Sequence, residues 1–204
     1  LVVIGESAFS GTTMLTGEVK IPASVRTIGP RAFYSSALGS IAVPEGVTEL
    51  SDHVFDYCGN LESISIPQSV VRIGVGSLQS TSSLRNVALP NALVTIDDNA
   101  FSGCGALSFE LPETVRTIGS RAFQSTSATS IKLNDGLESI GTAAFHSSNV
   151  VDLTVPDSVT SVGEEAFAYS KLAHIKLGKQ VNRLVRPLID TVSLKEIEVD
   201  ADNP

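Results

Sequence analysis

Tryptophan is missing from this chain, methionine occurs once, and aromatic residues make up only 5% of its 204 residues. A core must therefore be assembled from Val, Ile and Leu with a small set of 8 Phe, not around large rings. Positive charge is also in deficit, with 14 Lys and Arg against 22 Asp and Glu and a formal charge of −8 at pH 7. Nucleic acid and anionic membrane surfaces attract clustered basic residues, so neither is expected as a partner. No run of about 18 apolar residues is present to cross a bilayer, and no membrane insertion by this segment is expected. The opening Leu1-Val2-Val3-Ile4-Gly5 lacks the positive region of a signal peptide.

What the chain does have is self-similarity. An apolar-x-apolar-Pro element recurs as Val19-Lys20-Ile21-Pro22, Ile41-Ala42-Val43-Pro44, Ile64-Ser65-Ile66-Pro67, Val87-Ala88-Leu89-Pro90, Phe109-Glu110-Leu111-Pro112 and Leu153-Thr154-Val155-Pro156. Two further copies carry Asn134 and Gly178 in place of Pro, and Ile197-Glu198-Val199-Asp200 opens a ninth. The steps between successive fourth positions are 22, 23, 23, 22, 22, 22, 22 and 22 residues.

A second element keeps the same beat: Ile28-Gly29-x-x-Ala32-Phe33, Ile118-Gly119-x-x-Ala122-Phe123, Ile140-Gly141-x-x-Ala144-Phe145 and Val162-Gly163-x-x-Ala166-Phe167, with looser copies elsewhere. One more apolar column, from Val25 and Val47 to Val159 and Val181, lies between the two. A unit of this size cannot close a core alone, but stacked units place each column against itself and bury a continuous apolar spine.

The Ile-x-Ile alternation predicts one short strand per repeat. Strands recurring in the same sense must pair in parallel, at about 4.8 Å per repeat. Pro after each strand has no N–H for a ladder and turns the chain. The Val-x-x-Ile-Gly stretch predicts a second extended piece, and Ala-Phe a helical or 3₁₀ turn with Phe inward. The Gly after Ile is expected at φ > 0, where Asp97 would fit at modest cost, Ser51 less comfortably and Val185 poorly. In the last unit Pro187 is read as preceding an Ala column filled by Leu188, which predicts an altered turn there.

The pattern Leu-x-x-Ile-x-Ile-Pro-x-x-Val-x-x-Ile-Gly-x-x-Ala-Phe resembles the leucine-rich repeats of the BspA-like family across almost the whole chain. The resemblance implies a mainly β repeat solenoid, a right-handed leucine-rich-repeat coil with parallel strands on one face and short extended and 3₁₀ or helical turns on the other. It implies one solenoid over residues 1–204, with about eight full repeats and partial repeats at both ends. Members are typically bacterial or protist surface proteins, and the founding member looks like an adhesin for host matrix proteins. Val199-Asp200-Ala201-Asp202-Asn203-Pro204 resembles the start of a divergent repeat, so a longer native protein is expected.

Chemistry-bearing residues are few. His53, His146 and His174 fall in three different columns of three different repeats, so no triad or metal site is expected from them. Gly74-x-Gly76 is too short for a dinucleotide loop, and no phosphate-binding, nucleophile-elbow or paired-Cys motif is present. No enzymatic activity, cofactor or metal is therefore expected. Cys58 and Cys104 lie two repeats apart, about 10 Å by the strand spacing and beyond disulfide reach, and are expected as free, buried thiols.

Outward positions of the strands form two columns, one from Lys20 to Glu198 and one from Ser40 to Glu196. Their charge gathers toward the C-terminal half, where Lys132, Asp152, His174, Lys176, Lys195 and Glu196 are expected to form a contact patch. The chain reads as a monomeric, non-enzymatic, extracellular or cell-surface protein-interaction module, adhesin-like, with a host matrix protein as its expected class of partner. The alternatives are a structural spacer that presents another domain and an accessory carbohydrate-binding region. The latter ranks lower because the outward strand columns hold no aromatic platform.

The columns predict that Phe123→Ala lowers stability by about 3 to 5 kcal/mol, whereas Lys176→Ala leaves the urea midpoint where it was. Equal shifts of the two midpoints would contradict the assignment of columns.

Overall fold

The computed structural model describes residues 1–200; the expected repeat start at Ala201 to Pro204 lies outside the described residues. Each repeat forms one coil of a parallel β-solenoid. The main face carries nine short strands among the described residues, Glu18–Lys20, Ser40–Ala42, Ser63–Ser65, Asn86–Val87, Ser108–Glu110, Ser130–Lys132, Asp152–Thr154, His174–Leu177 and Glu196–Val199. All pairings are parallel and in column register, as in Ile41↔Ile64 and Leu153↔Ile175. The expected second extended piece also forms: two-residue strands from Glu49–Leu50 to Ser161–Val162 build a six-stranded parallel sheet, and Val3–Ile4 pairs with Thr27–Ile28.

The main-face ladder changes over from a four-stranded to a five-stranded sheet between Asn86–Val87 and Ser108–Glu110. Spacing gives the reason. Leu38, Leu61 and Leu84 each stand three residues before their strand centre, but Leu107 stands two before Phe109, so this coil enters its strand out of step with the one beneath.

Between the two faces lie the stacked columns. Phe33, Phe55, Phe101, Phe123, Phe145 and Phe167 are all buried. Phe9, Phe33 and Phe55 stack at 5.2 and 5.6 Å, and Phe101, Phe123, Phe145 and Phe167 at 5.4, 5.2 and 5.9 Å. Leu78 occupies the same column and separates the two runs. Beside them runs a column of small polar residues. Thr81 Oγ1 and Ser170 Oγ donate to the carbonyls of Leu78 and Phe167 three residues earlier, while Cys58 Sγ and Cys104 Sγ donate to Phe33 and Leu78 one coil back.

The turn side is not helical. Alternate N–H groups reach the next coil, with Arg121, Phe123 and Ser125 donating to Thr142, Ala144 and His146 at 2.8 to 2.9 Å. The intervening ones close i→i−3 turns of the 3₁₀ type, with Gln124 and Thr126 donating to Arg121 and Phe123. Two positions per coil take left-handed φ to round this corner. Most are not Gly: Arg31, His53, Asn99, Arg121 and Glu165 occupy the first, and Ser35, Tyr57, Ser125 and Tyr169 the second, at φ 53 to 59°. Each costs on the order of 1–2 kcal/mol relative to Gly, offset by the inter-coil bonds around it.

That geometry corrects the expectation for the Gly after Ile. Neither Gly29, Gly119, Gly141 nor Gly163 has positive φ, and nor do Ser51, Asp97 or Val185; the left-handed residue is two positions later in every coil but the last, where Arg186 directly follows Val185. The glycine is needed for approach. A Cβ on Gly141 would lie 2.5 Å from the backbone of Gly119 and Ser120, and one on Gly163 2.3 Å from Thr142 N. The last coil is also reassigned. Phe167 N–H donates to Pro187 O where Phe145 N–H donates to Ala166 O, so Pro187 fills the Ala column and Leu188 the Phe column, one residue earlier than expected. The two glycine requirements separate experimentally. In chemical denaturation Gly141→Ala is expected to cost at least about 2 kcal/mol through forced backbone shifts, while Ser125→Gly, at an exposed left-handed position, is expected to cost nothing.

Candidate functional site

Because side chains on the main face repeat every coil, register alone decides which outward residues meet. Ser130 pairs with Asp152, Asp152 with His174, and His174 with Glu196, while Thr154, Lys176 and Glu198 form the adjacent column. Asp152 Oδ1 lies 2.6 Å from His174 Nδ1, and Lys176 Nζ donates to Glu198 Oε1 at 2.5 Å. Glu196 flanks His174 on the other side. Four of the six expected residues, Asp152, His174, Lys176 and Glu196, therefore line one depression of about 210 Å³.

The remaining two stand apart. Lys132 turns toward the N-terminus and pairs with Glu110 at 3.1 Å, with the Asp152–Thr154 strand between it and Lys176. Lys195 is exposed, directly before the last strand, and its N–H donates to Ala173 O. Two partners were missed, Glu110 and Glu198. Both sit 22 residues from the lysine that they hold, so the repeat length itself would have found them.

All three pairs are solvent-exposed. The Glu198 carboxylate, through its hydrogen bond and charge, raises the pKa of Lys176 and keeps the ammonium protonated. Such pairs contribute little to folding, which leaves them available to an incoming partner. Over the N-terminal half the same face is lined mostly by small residues, Ser40, Ala42, Ser63, Ser65 and Ala88, with Glu18 and Arg85, and forms a wider shallow depression of about 590 Å³.

Two charged groups elsewhere are tied into structure. Arg72 bridges three coils on the second face, to Glu49, Asp52 and Asp97 at 3.2, 2.9 and 2.5 Å. His53 Nδ1 lies 3.0 Å from Asp56 Oδ2; desolvation raises the pKa of this buried carboxyl, and His53 counters the shift. Among the described residues, no group of three or more His, Cys, Asp or Glu could hold a metal ion, and no helix is long and apolar enough to cross a membrane.

Cys58 and Cys104 are free and buried. Burial pushes the Cys104 thiol up to about 12 and raises that of Cys58. A thiol without thiolate character is inert, so neither is expected to react with iodoacetamide at pH 8 in the folded protein, and both after denaturation. Mass-detected alkylation of the native chain would contradict this packing.

Several solved structures are similar to the chain. A leucine-rich repeat protein from Bacteroides ovatus ATCC 8483 is 24% identical, with a TM-score of 0.88 over 98% of this chain and 52% of that one. The pneumococcal vaccine antigen PcpA is 20% identical, with a TM-score of 0.55 over 100% of this chain and 75% of that one. A leucine-rich repeat protein from Eubacterium ventriosum ATCC 27560 is 18% identical, with a TM-score of 0.51 over 97% and 70%. These likenesses show the fold. The chain spans about half the length of the Bacteroides ovatus protein. No curated protein matches it. The family model of the BspA type leucine-rich repeat region matches residues 1–108 and 94–203, as 6 copies.

Proposed function

The chain belongs to the BspA type leucine-rich-repeat family, and from that premise we propose that it is an extracellular or cell-surface module that binds a protein partner through its parallel-sheet face, in the manner of an adhesin. Repeats of this family are generally non-enzymatic, and they build surface proteins, which supports both the absence of catalysis and the location.

The observation that carries the reading is the concentration of charge at one end of a solvent-facing sheet. Small side chains dominate the depression in its first half, which Glu18 and Arg85 also line, while Asp152, His174, Lys176, Glu196 and Glu198 crowd a single depression in the second. Folding gains little from such exposed pairs, so stability does not account for their concentration. The face offers no Trp, Tyr or Arg anchor of the kind that dominates tight interfaces within that depression. A broad contact of modest affinity, strengthened by repetition along a longer array, fits it best.

The test is saturable binding of the chain to immobilised matrix and mucosal proteins, with fibronectin and fibrinogen among them, against a variant with Lys132, His174 and Lys176 changed to Ala. Binding is expected to weaken at least about tenfold in the variant and to fall with added salt. Absence of binding to every member of the panel, or equal binding by the variant, would overturn the reading in favour of a structural spacer.

A further inference from the structure

Whereas the main face lacks aromatic residues among its outward columns, the turn face holds every tyrosine of the chain, Tyr34, Tyr57 and Tyr169. They form two clusters at the same point of the coil. Tyr34 meets Tyr57 edge-on at 5.7 Å, and five coils further along His146 meets Tyr169 at 5.0 Å. Tyr57 is 54% exposed and Tyr169 49%, so half of each ring faces solvent.

Local physics does not select tyrosine there. Tyr57 and Tyr169 occupy the second left-handed position of their coils, at φ 59° and 56°, where other coils carry Ser35, Ser80, Gly103, Ser125 and Ser147. Left-handed φ is unusual for a bulky residue, and these rings are not repaid by burial. A side chain that breaks the local rule while leaving half of its ring open to solvent points to a functional position.

Between the two clusters the same two columns are occupied by Gln79, Ser80, Ser102, Gly103, Gln124 and Ser125, all exposed or half-buried and none charged. The neighbouring outward column continues in kind through Ser127 and Asn149 before Lys171 takes it in the Tyr169 coil. In a chain with 36 charged residues, this is a strip of amide and hydroxyl groups about 24 Å long at the strand spacing, with an aromatic ring at either end. Arg31, Arg121 and Glu165 stand one column over, and at the Tyr169 end lie exposed Lys171, which takes the column of Asn149 in the last coil, and Asp190, hydrogen-bonded to the Tyr169 side chain.

We propose that this strip is a second binding site, separate from the sheet face, for a neutral oligosaccharide laid along the solenoid axis from Tyr57 to Tyr169. An exposed ring offers a flat π surface to the C–H face of a pyranose. Amides and hydroxyls exchange hydrogen bonds with sugar hydroxyls without the desolvation that a charge would require. A protein partner is less well matched, since the strip presents no charge pattern or buried anchor to specify one.

Because the chain has no Trp, its intrinsic fluorescence comes from these three tyrosines alone, and so reports this face directly. Titration with malto-, cello-, manno- and chitohexaose is expected to give a saturable change with at least one of them. The corresponding monosaccharide should bind at least about tenfold more weakly, because only the hexasaccharide spans several coils. Tyr57→Ser and Tyr169→Ser each introduce the residue that other coils use at that position, so both variants are expected to fold, as checked by unchanged thermal unfolding, and each to weaken hexasaccharide binding about tenfold. Three results would overturn the proposal: no saturable response to any hexasaccharide up to about 10 mM, a response that neither substitution alters, or loss of matrix-protein binding in the tyrosine variants without any sugar response, which would assign the strip to a protein contact.

Discussion

Everything in this molecule follows from a distance that the backbone sets. Parallel ladders hold neighbouring coils about 4.8 Å apart, and every side chain must then tolerate a copy of itself, or a near relative, at that separation. Flat Phe rings satisfy the constraint by stacking at 5.2 to 5.9 Å. Small hydroxyls and thiols satisfy it by bonding to carbonyls of their own coil or the one before. Where two coils press backbone to backbone, as Gly141 does on Gly119, no side chain fits at all.

The same constraint organises the exterior. On the sheet face an outward residue meets its column neighbour 22 or 23 positions away, which is why Glu110–Lys132, Asp152–His174 and Lys176–Glu198 are all pairs across one coil. It also means that each face is read as a strip along the axis. The sheet face runs from a half lined mostly by small residues to a half crowded with ion pairs, and the turn face carries a largely uncharged strip between aromatic ends. The two surfaces share a core but no side chains, so one can bind without the other.

The columns were legible in the sequence because burial repeats with the coil, and with them came the strands, their parallel sense and the inward Phe. Turn chemistry was less legible. A glycine recurring after Ile reads equally well as a need for positive φ or as a need for space, and only the inter-coil contact at Gly29 or Gly163 separates the two. The left-handed positions were hidden because Arg31, His53 and Glu165 carry no local signature of that conformation. Pro187 was assigned to the wrong column because the last coil is one residue shorter before it. At the sheet-face patch, column position correctly joined Asp152, His174, Lys176 and Glu196, but not the direction in which Lys132 leans.

Equivalent bonding between successive coils has a further result. The N–H groups that Phe123 and Phe145 send forward find the same carbonyl, at the same height, whichever coil comes next. Excision of one whole repeat, or its duplication, would restore every column to register with itself. Reach can therefore change by unequal recombination between repeats without new packing having to be invented, and either surface strip can be lengthened in whole units while the rest of the molecule stays as it was.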